Sequence, residues 1–195
     1  MSDQPPNSEA RERVLNTAEK LFAERGYKAV TLRDVADALG IKQASLYYHV
    51  PHGKEALFVE VTERNLRRHQ LGLKTLIGAA SSLRTKLSAA ANWLLSQPPM
   101  DLGRMLQSDM VAITPEEASR LELIAYDALL MPIADIFIRA GVVGEIRQEN
   151  PIMLAGALIS VIESLCALPE HYLTQSRHVM AESLITLFLD GLRVR

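Results

Sequence analysis

The amino-acid sequence predicts an all-α protein. The chain of 195 residues is 48% hydrophobic, enough for a buried core, but only 5% aromatic. Its abundant Ala and Leu favour helices, whereas the aromatic and β-branched residues that favour strands are scarce. Apolar residues recur at helical spacing, and no alternating strand pattern or internal repeat persists. About nine helices are therefore expected.

Four helices are predicted in the first third of the chain. Ser8 is suited to cap the first helix, and Gly26 marks its C-terminal end. Thr31 is suited to cap the second, with Asp34 completing a capping box and Gly40 ending the helix. A Pro-His-Gly loop separates the third helix from the fourth. The predicted spans are 8–25, 32–39, 43–50 and 54–73.

Five further helices are predicted in the rest of the chain. Thr114 provides the clearest start, because Pro115 follows at the first turn and Glu117 completes a capping box. Pro132 is expected to kink the same helix, since proline removes a backbone donor and clashes with the preceding turn. The predicted spans are 82–96, 100–113, 115–140 and 151–168, with a last helix that follows the 169–174 link and ends near Arg193.

Composition and motifs exclude several classes of protein. A single cysteine cannot form a disulfide framework, and no Cys and His residues have the spacing of a structural zinc site. The polar segment 1–9 lacks a signal-peptide core, and the longest apolar stretch, 152–162, is shorter than the ~20 residues that cross a bilayer. The common catalytic motifs are absent. We expect a cytoplasmic protein that is not an enzyme and has no metal, cofactor or membrane contact.

Charge is distributed unevenly along the chain. The formal net charge is −2, but segment 25–54 has five basic residues against two acidic ones, which leaves −5 for the remainder. A small basic region on an acidic protein suits contact with a polyanion at one end. The alternative is an ordinary solvated surface, which the charge count alone does not exclude.

Residues 31–50 have the layout of a helix-turn-helix, two short helices joined by a three-residue turn. Ala36 is small where the helices would cross, and Gly40 suits the turn because glycine tolerates positive φ. The outward face of the second helix suits a DNA major groove, since Gln can read adenine and Ser can bond a base or a phosphate. This face carries Lys42, Gln43, Ala44, Ser45, Tyr47 and Tyr48. The alternative is a helical hairpin that only packs a core.

Five runs of residues near the N-terminus are typical of one family. They read AEKLFAERGY at 18–27, TLRDVA at 31–36, LGI at 39–41, SLYYHV at 45–50 and GKEAL at 53–57. Together they resemble the tetracycline-repressor (TetR) family of bacterial transcription regulators. The resemblance implies a three-helix DNA-binding domain, a larger helical regulatory domain, and a homodimer whose recognition helices enter successive major grooves. We place the DNA-binding domain at 8–52 and the effector-binding and dimerisation domain at 53–195.

The resemblance also implies DNA contacts by position. Thr31 and Arg33 would contact backbone or bases from the second helix, and Lys54 a phosphate from the fourth. In the recognition helix the bases would be faced by Lys42, Gln43, Ala44 and Ser45, and the phosphates by Tyr47, Tyr48 and His49. The chain departs from the common pattern in two places. The loop before Lys54 is one residue longer, and Lys42 stands where many members have an acidic or small residue.

The last two helices are predicted to form the dimer interface. Residues 152–168 contain a single charged residue, Glu163, and are apolar nearly all round, which exceeds what one core face requires. The last helix is also rich in large apolar residues. Paired across a twofold axis, the four helices would form a bundle. The alternative is a core helix inside a monomer.

An effector pocket is expected among the middle helices, where apolar walls would suit a small, largely hydrophobic molecule. The candidate lining residues are Trp93, Met105, Met110, Tyr126, Leu130, Phe137, Ile162 and Glu163. Ordinary core packing is the alternative explanation for each apolar member of this set. Glu163 needs a partner in so apolar a helix, and could meet a cationic ligand or an arginine across the dimer.

The function expected from the sequence is that of a ligand-responsive transcription regulator, and the prevailing behaviour of the family favours a repressor. Such a protein binds a pseudo-palindromic DNA operator as a homodimer and is released by its effector. The alternative is a helical ligand-binding or scaffolding protein whose DNA-binding domain is vestigial.

Overall fold

The computed structural model describes residues 6–98 and 101–194, and within these ranges every regular element is a helix. The all-α prediction is therefore confirmed. The α-helices are α1 (Pro6–Ala29), α2 (Leu32–Leu39), α3 (Gln43–His49), α4 (Gly53–Ala79), α5 (Leu83–Ser96), α6 (Leu102–Arg104), α7 (Pro115–Ala125), α8 (Met131–Val142), α9 (Pro151–Ala167) and α10 (Arg177–Gly191).

Two of the predicted helices contain wider, π-helical turns. α6 continues through a π turn at Met105–Asp109 and a 3₁₀ turn at Met110–Ala112. α7 continues through a π turn at Tyr126–Leu130 into α8, so the single helix predicted at 115–140 is observed as these three consecutive elements. Pro132 lies in the first turn of α8. Proline lacks the amide that continues a regular helix, and its ring clashes with the preceding turn. A wider turn before Pro132 relieves this clash.

The helix boundaries differ from the predictions at a few places. α1 begins at Pro6, ahead of the predicted cap at Ser8. Gly26 interrupts α1 with a φ of 79°, as its role as a stop signal predicts, and one further helical turn follows. α4 extends to Ala79, beyond the predicted end at residue 73. The first residue of the helix predicted at 100–113 lies outside the described ranges.

The described chain divides into two compact units. The first contains the residues up to Asn65 and the segment Asp101–Leu123, and the second contains 66–98 and 124–194. The packing units therefore do not follow the 52/53 boundary predicted between functional domains, because the first part of α4 and the 101–123 segment pack with the N-terminal helices.

In the first unit, α1 packs one face against α2, α3 and the π turn that follows α6. This face is an apolar stripe of five buried residues: Val14, Leu15, Ala18, Leu21 and Phe22. Val35 and Ala36 of α2 and Leu46 of α3 are buried as well. These contacts fix the two short helices, which would be too short to be stable alone.

In the second unit, α5 contacts α8, α9 and α10, and α9 also contacts α8 and α10. Leu87, Leu158 and Ile185 are fully buried at the centre of this packing. One face of α9 remains exposed in the single chain, from Met153 through Ala157 to Ser160. The chain itself therefore leaves part of the surface of α9 uncovered, although this helix is apolar nearly all round.

The start of α2 provides a pH-dependent prediction. The Asp34 carboxylate accepts the Thr31 amide at 2.7 Å and the Thr31 hydroxyl, and the Asp34 amide donates to that hydroxyl at 3.2 Å. These hydrogen bonds hold the pKa of the Asp34 carboxyl below its ordinary value. A lowered folded-state pKa stabilises the fold above the ordinary pKa of aspartate, about 3.9, and this stabilisation is lost as the pH falls through the lowered value.

We therefore expect Asp34→Ala to lower the thermal midpoint at neutral pH, and the gap from wild type to shrink below about pH 4. Circular-dichroism melts between pH 2.5 and 7 measure both effects. Asp37→Ala is the matched control, since Asp37 lies outside the first turn and makes only an exposed pair with Arg33 at 3.8 Å. Melting curves of Asp34→Ala and wild type that stay equally far apart down to the lowest pH would contradict this account.

Candidate nucleic-acid interface

The turn between α2 and α3 is built around Gly40. This residue adopts left-handed backbone angles (φ 67°, ψ 30°), and its amide donates to the carbonyls of the last turn of α2. The Ile41 amide donates to the Ala36 carbonyl at 3.0 Å. The backbone is thereby redirected within three residues, and α3 starts directly after Lys42. This is the helix-turn-helix geometry that the sequence predicts.

The predicted reading face of α3 is exposed. Leu46 is fully buried and anchors the helix against the core. The polar and aromatic residues around it are open to solvent, and Tyr48 is 72% exposed. The exposed residues of this surface are Lys42, Gln43, Ala44, Ser45, Tyr47 and Tyr48, which we call the reading face. The seven-residue helix packs on the core through Leu46. Its large exposed aromatic residues are suited to contact a partner molecule.

The remaining predicted DNA contacts lie at the edges of the two short helices. Thr31 is exposed at the start of α2, and Arg33 is exposed two residues further along, with its Nε 3.8 Å from Asp37. His49 is half-buried at the end of α3, with its ring edge-on to Tyr48 at 5.4 Å between centroids.

A charged network fixes the C-terminal end of α3. The Arg11 guanidinium donates to both oxygens of Glu60 at 2.8 Å and to the His49 carbonyl at 3.4 Å. Both bonds to Glu60 come from Nη2 of Arg11, and hydrogen bonds between charged groups are about twice as strong as those between neutral groups. One turn away, Arg64 of α4 reaches Glu12 of α1 at 2.8 Å. The recognition helix is therefore held by side chains of both α1 and α4, which the sequence analysis did not identify.

Lys54 lies at the start of α4, after the loop with one additional residue. Its Nζ is 4.2 Å from the centroid of the Tyr27 ring, a cation–π contact. Partial burial lowers the pKa of the Lys54 ammonium, and the negative charge of Asp109 partly offsets this shift. The ring of Tyr27 also packs on Phe58 at 4.9 Å between centroids. The ammonium group is thus positioned by an aromatic cluster, and its contact with a phosphate stays a prediction.

The residues proposed for an effector pocket are divided between the two units. Met105 and Met110 are buried in the first unit, whereas the other six belong to the second. Among those six, Phe137 and Ile162 are buried core residues. Trp93, Leu130 and Glu163 are half-buried, and Tyr126 is exposed. The second unit also has an open groove of about 580 Å³ that none of the eight residues lines. The groove is lined by Asn92, His178, Val179, Glu182, Ser183 and Thr186.

Two other features, a membrane-spanning helix and a metal centre, are absent from the part of the chain that the structure describes. None of the helices in 6–98 and 101–194 combines the length and hydropathy needed to cross a membrane. In the same ranges, no group of three or more His, Cys, Asp or Glu side chains is arranged to hold a metal ion.

Comparison with known proteins places the N-terminal region in one family. Residues 14–61 match the family described as bacterial regulatory proteins, tetR family. A 59-residue segment is 46% identical to the HTH-type transcriptional repressor KstR2 of Rhodococcus jostii. That match covers 30% of this chain and 28% of the repressor, so the chain spans about a quarter of the length of the curated relatives it matches.

Solved structures share the fold over nearly the whole chain. A putative transcriptional regulator from Saccharomonospora viridis in complex with choline is 24% identical with a TM-score of 0.72, covering 96% of this chain and 100% of that one. AibR in complex with isovaleryl coenzyme A and operator DNA is 16% identical with a TM-score of 0.75, covering 91% and 96%. The family resemblance seen in the sequence is confirmed for the N-terminal region, where residues 14–61 match the tetR family of bacterial regulatory proteins.

Proposed function

We propose that this chain is a ligand-responsive transcriptional repressor. It binds a pseudo-palindromic operator as a homodimer and releases the DNA when a small, largely hydrophobic effector binds. The observation that carries the proposal is the reading face of α3, which is exposed while its own helix is anchored by buried Leu46. A helix that only packed a core would not need two adjacent tyrosines exposed to solvent.

The reading face suggests how contacts are divided. Lys42, Gln43, Ala44 and Ser45 lie at the N-terminal end of α3, the end that contacts bases in helix-turn-helix proteins. Tyr47, Tyr48 and His49 follow at its C-terminal end and would bond phosphates. Thr31 and Arg33 would contact the DNA from α2, and Lys54 a phosphate from α4. Phosphate contacts set the position on the duplex, and base contacts select the sequence.

The exposed apolar residues of α9 and α10 support a homodimer. In the single chain Met153 is 56%, Val179 48% and Leu187 66% exposed. Ala157 and Ser160 on the exposed face of α9 are small, which allows two helices to approach closely. Packing against a second copy would remove this apolar surface from water. A twofold dimer would place its two recognition helices in successive major grooves, about 34–36 Å apart.

This interface predicts that Leu187→Glu weakens dimerisation. A carboxylate buried on both sides of a twofold apolar interface lacks a partner, and we expect at least about a 100-fold rise in the dimer dissociation constant. Analytical ultracentrifugation over a concentration series measures this constant. Val143→Glu is the matched control, because Val143 is 75% exposed and lies outside α9 and α10. A Leu187→Glu protein that stays dimeric like the control would show that these helices do not form the interface.

Two of the solved neighbours support a ligand response, since they are complexes with choline and with isovaleryl coenzyme A. For this chain we keep the predicted lining residues of the second unit as candidates: Trp93, Tyr126, Leu130, Phe137, Ile162 and Glu163. Met105 and Met110 lie in the buried core of the first unit and are left out of this set. Glu163 is the one carboxylate in the set and would favour a cationic ligand.

Selection of the purified protein against random duplex DNA at moderate salt, followed by sequencing, tests the proposed function. We expect one enriched pseudo-palindrome with half-sites about one helical turn apart. Binding that is strongly salt-dependent but blind to sequence would instead indicate phosphate contacts alone. That outcome, or no binding at all, would favour a helical ligand-binding protein whose DNA-binding domain is vestigial.

A further inference from the structure

Asp109 is a buried carboxylate outside the reading face. It is only 4% exposed and ends the π turn that follows α6. Burying a carboxylate is unfavourable unless its oxygens are paired and hydrogen-bonded. π turns are also rare and are frequent at functional sites. Both features indicate that the partners of the Asp109 side chain matter for the protein.

The partners of Asp109 belong to the end of α1. Its Oδ1 accepts the Tyr27 amide at 2.8 Å, at the point where Gly26 breaks the helix. A Cβ atom at Gly26 would lie 3.1 Å from that same oxygen, so glycine permits the close approach. Its Oδ2 lies 3.5 Å from Nε of Arg104. Arg104 in turn donates to the Ala23 carbonyl and to the Phe22 carbonyl of α1.

Asp109 and Arg104 therefore cap the C-terminal end of α1 from a segment that is about 80 positions later in the chain. Arg104 supplies donors to carbonyls that the helix leaves unpaired, and Asp109 supplies an acceptor for the amide after the break. A glycine stop is ordinarily completed by the backbone of its own helix. Here a distant segment completes it.

The same segment also holds the start of α4. The Thr114 amide and hydroxyl both donate to Oε1 of Glu55, at 3.1 Å and 2.8 Å. Tyr27 lies near the end of α1, the helix before α2, and Glu55 lies at the start of α4, after the loop that follows α3. The 104–114 segment thus binds the chain on both sides of the helix-turn-helix.

We propose that Asp109 is a positioning residue for DNA binding, through which the 104–114 segment sets the placement of α2 and α3 on the operator. The proposal rests on the proposed DNA-binding function. Asp109 touches no DNA itself, and its effect passes through Tyr27, Gly26 and the end of α1. Because coupling between two sites is reciprocal, operator binding at α3 must change the stability of the 104–114 segment.

Hydrogen exchange of the wild-type protein tests this reciprocity without any substitution. We expect operator duplex, recovered by the selection above, to slow exchange of the amides of Met105–Met110 and of Tyr27. A random duplex of equal length is the control and should slow them less. Equal exchange in free and operator-bound protein would overturn the proposal.

Substitutions at Asp109 test the same inference from the other side. We expect Asp109→Ala to weaken operator binding at least about fivefold, which is the lower end of typical coupling between sites. The ratio of operator affinity to random-duplex affinity should fall as well. Asp109→Asn keeps an oxygen for the Tyr27 amide and should lose less. Glu117→Gln is the control, since Glu117 pairs with Arg120 on the exposed surface at 2.8 Å. Anisotropy titrations at fixed salt measure all four proteins.

The outcomes separate the two proposals. Wild-type protein that selects no sequence overturns the proposed function and, with it, the role of Asp109. Wild-type protein that selects an operator while both Asp109 variants bind it with unchanged affinity and discrimination overturns the role of Asp109 alone. A reduced affinity with an unchanged operator-to-random ratio would show a general loss of folded protein, and would also count against a positioning role.

Discussion

The double variant Lys42→Glu/Tyr47→Ala is expected to lose sequence-specific DNA binding while keeping its fold. Both side chains are exposed on the reading face, so their replacement leaves buried Leu46 and the core untouched. Replacing the Lys42 ammonium by a carboxylate adds repulsion toward the polyanionic duplex where there was attraction, and truncating Tyr47 removes a proposed phosphate contact. Since the proposed dimer carries each change twice, we expect at least about a 100-fold loss of operator affinity, where every 1.4 kcal/mol is tenfold.

Fluorescence anisotropy with a labelled operator, repeated at several salt concentrations, measures this loss and the reduced salt dependence that should accompany it. The matched control is Lys74→Glu/Tyr172→Ala, which makes the same chemical changes at exposed positions away from α2 and α3. Thermal melts establish that both variants are folded. Operator affinity that equals the control would leave the reading face without a role and favour the vestigial-domain alternative.

Gly72→Ala is expected to destabilise the second unit strongly. A Cβ atom on this residue of α4 would overlap with two atoms of the Trp93 indole, far inside contact distance. The indole therefore packs directly on the helix backbone, with His69 edge-on to it at 6.2 Å between centroids. Either the indole or α4 must shift, and overpacking of this kind costs about 1–3 kcal/mol. For a chain of this size such a loss lowers the thermal midpoint by about 2–12 °C.

Gly78→Ala provides the control on the same helix. Apart from its neighbours in the helix, none of the described residues places an atom within 4 Å of the position where its Cβ would stand. Alanine favours helices over glycine by about 1 kcal/mol, so this variant should be as stable as wild type or more stable. The chain has a single tryptophan, so fluorescence reports the Trp93 environment directly during unfolding. Measurements at one protein concentration keep any dimer contribution constant. Equal midpoints for the two variants would show that the indole yields without strain.

The helix-turn-helix could be predicted from sequence because its signals are local. Gly26, Gly40 and the Thr31–Asp34 pair each act within a few residues, and the structure has the break and the caps at those positions. The reading face follows from spacing alone, since burial of Leu46 directs its neighbours outward. The specific DNA contacts of these residues stay predictions.

The packing of the middle helices could not be predicted in the same way. Met105 and Met110 are apolar residues of one predicted helix, but the sequence does not tell which of two cores receives them. The structure buries them in the first unit rather than among the other pocket candidates. The π turns were also missed, because one widened turn hardly changes the average apolar period. Asp109 carried a usable signal: it follows Met105 by four positions and so places a carboxylate on the buried face.

The assignment of 101–123 to the N-terminal unit has a consequence for building hybrid regulators. The polypeptide passes between the two units three times, after residues 65, 100 and 123. A chimera joined at a single point near residue 52 would pair the α1 end of one parent with the Arg104 and Asp109 equivalents of another. Under the proposed function, an exchange of effector specificity would require both parts of the second unit to be grafted together while the parental 101–123 insert is retained. Recombination between family members is therefore constrained at three junctions rather than one.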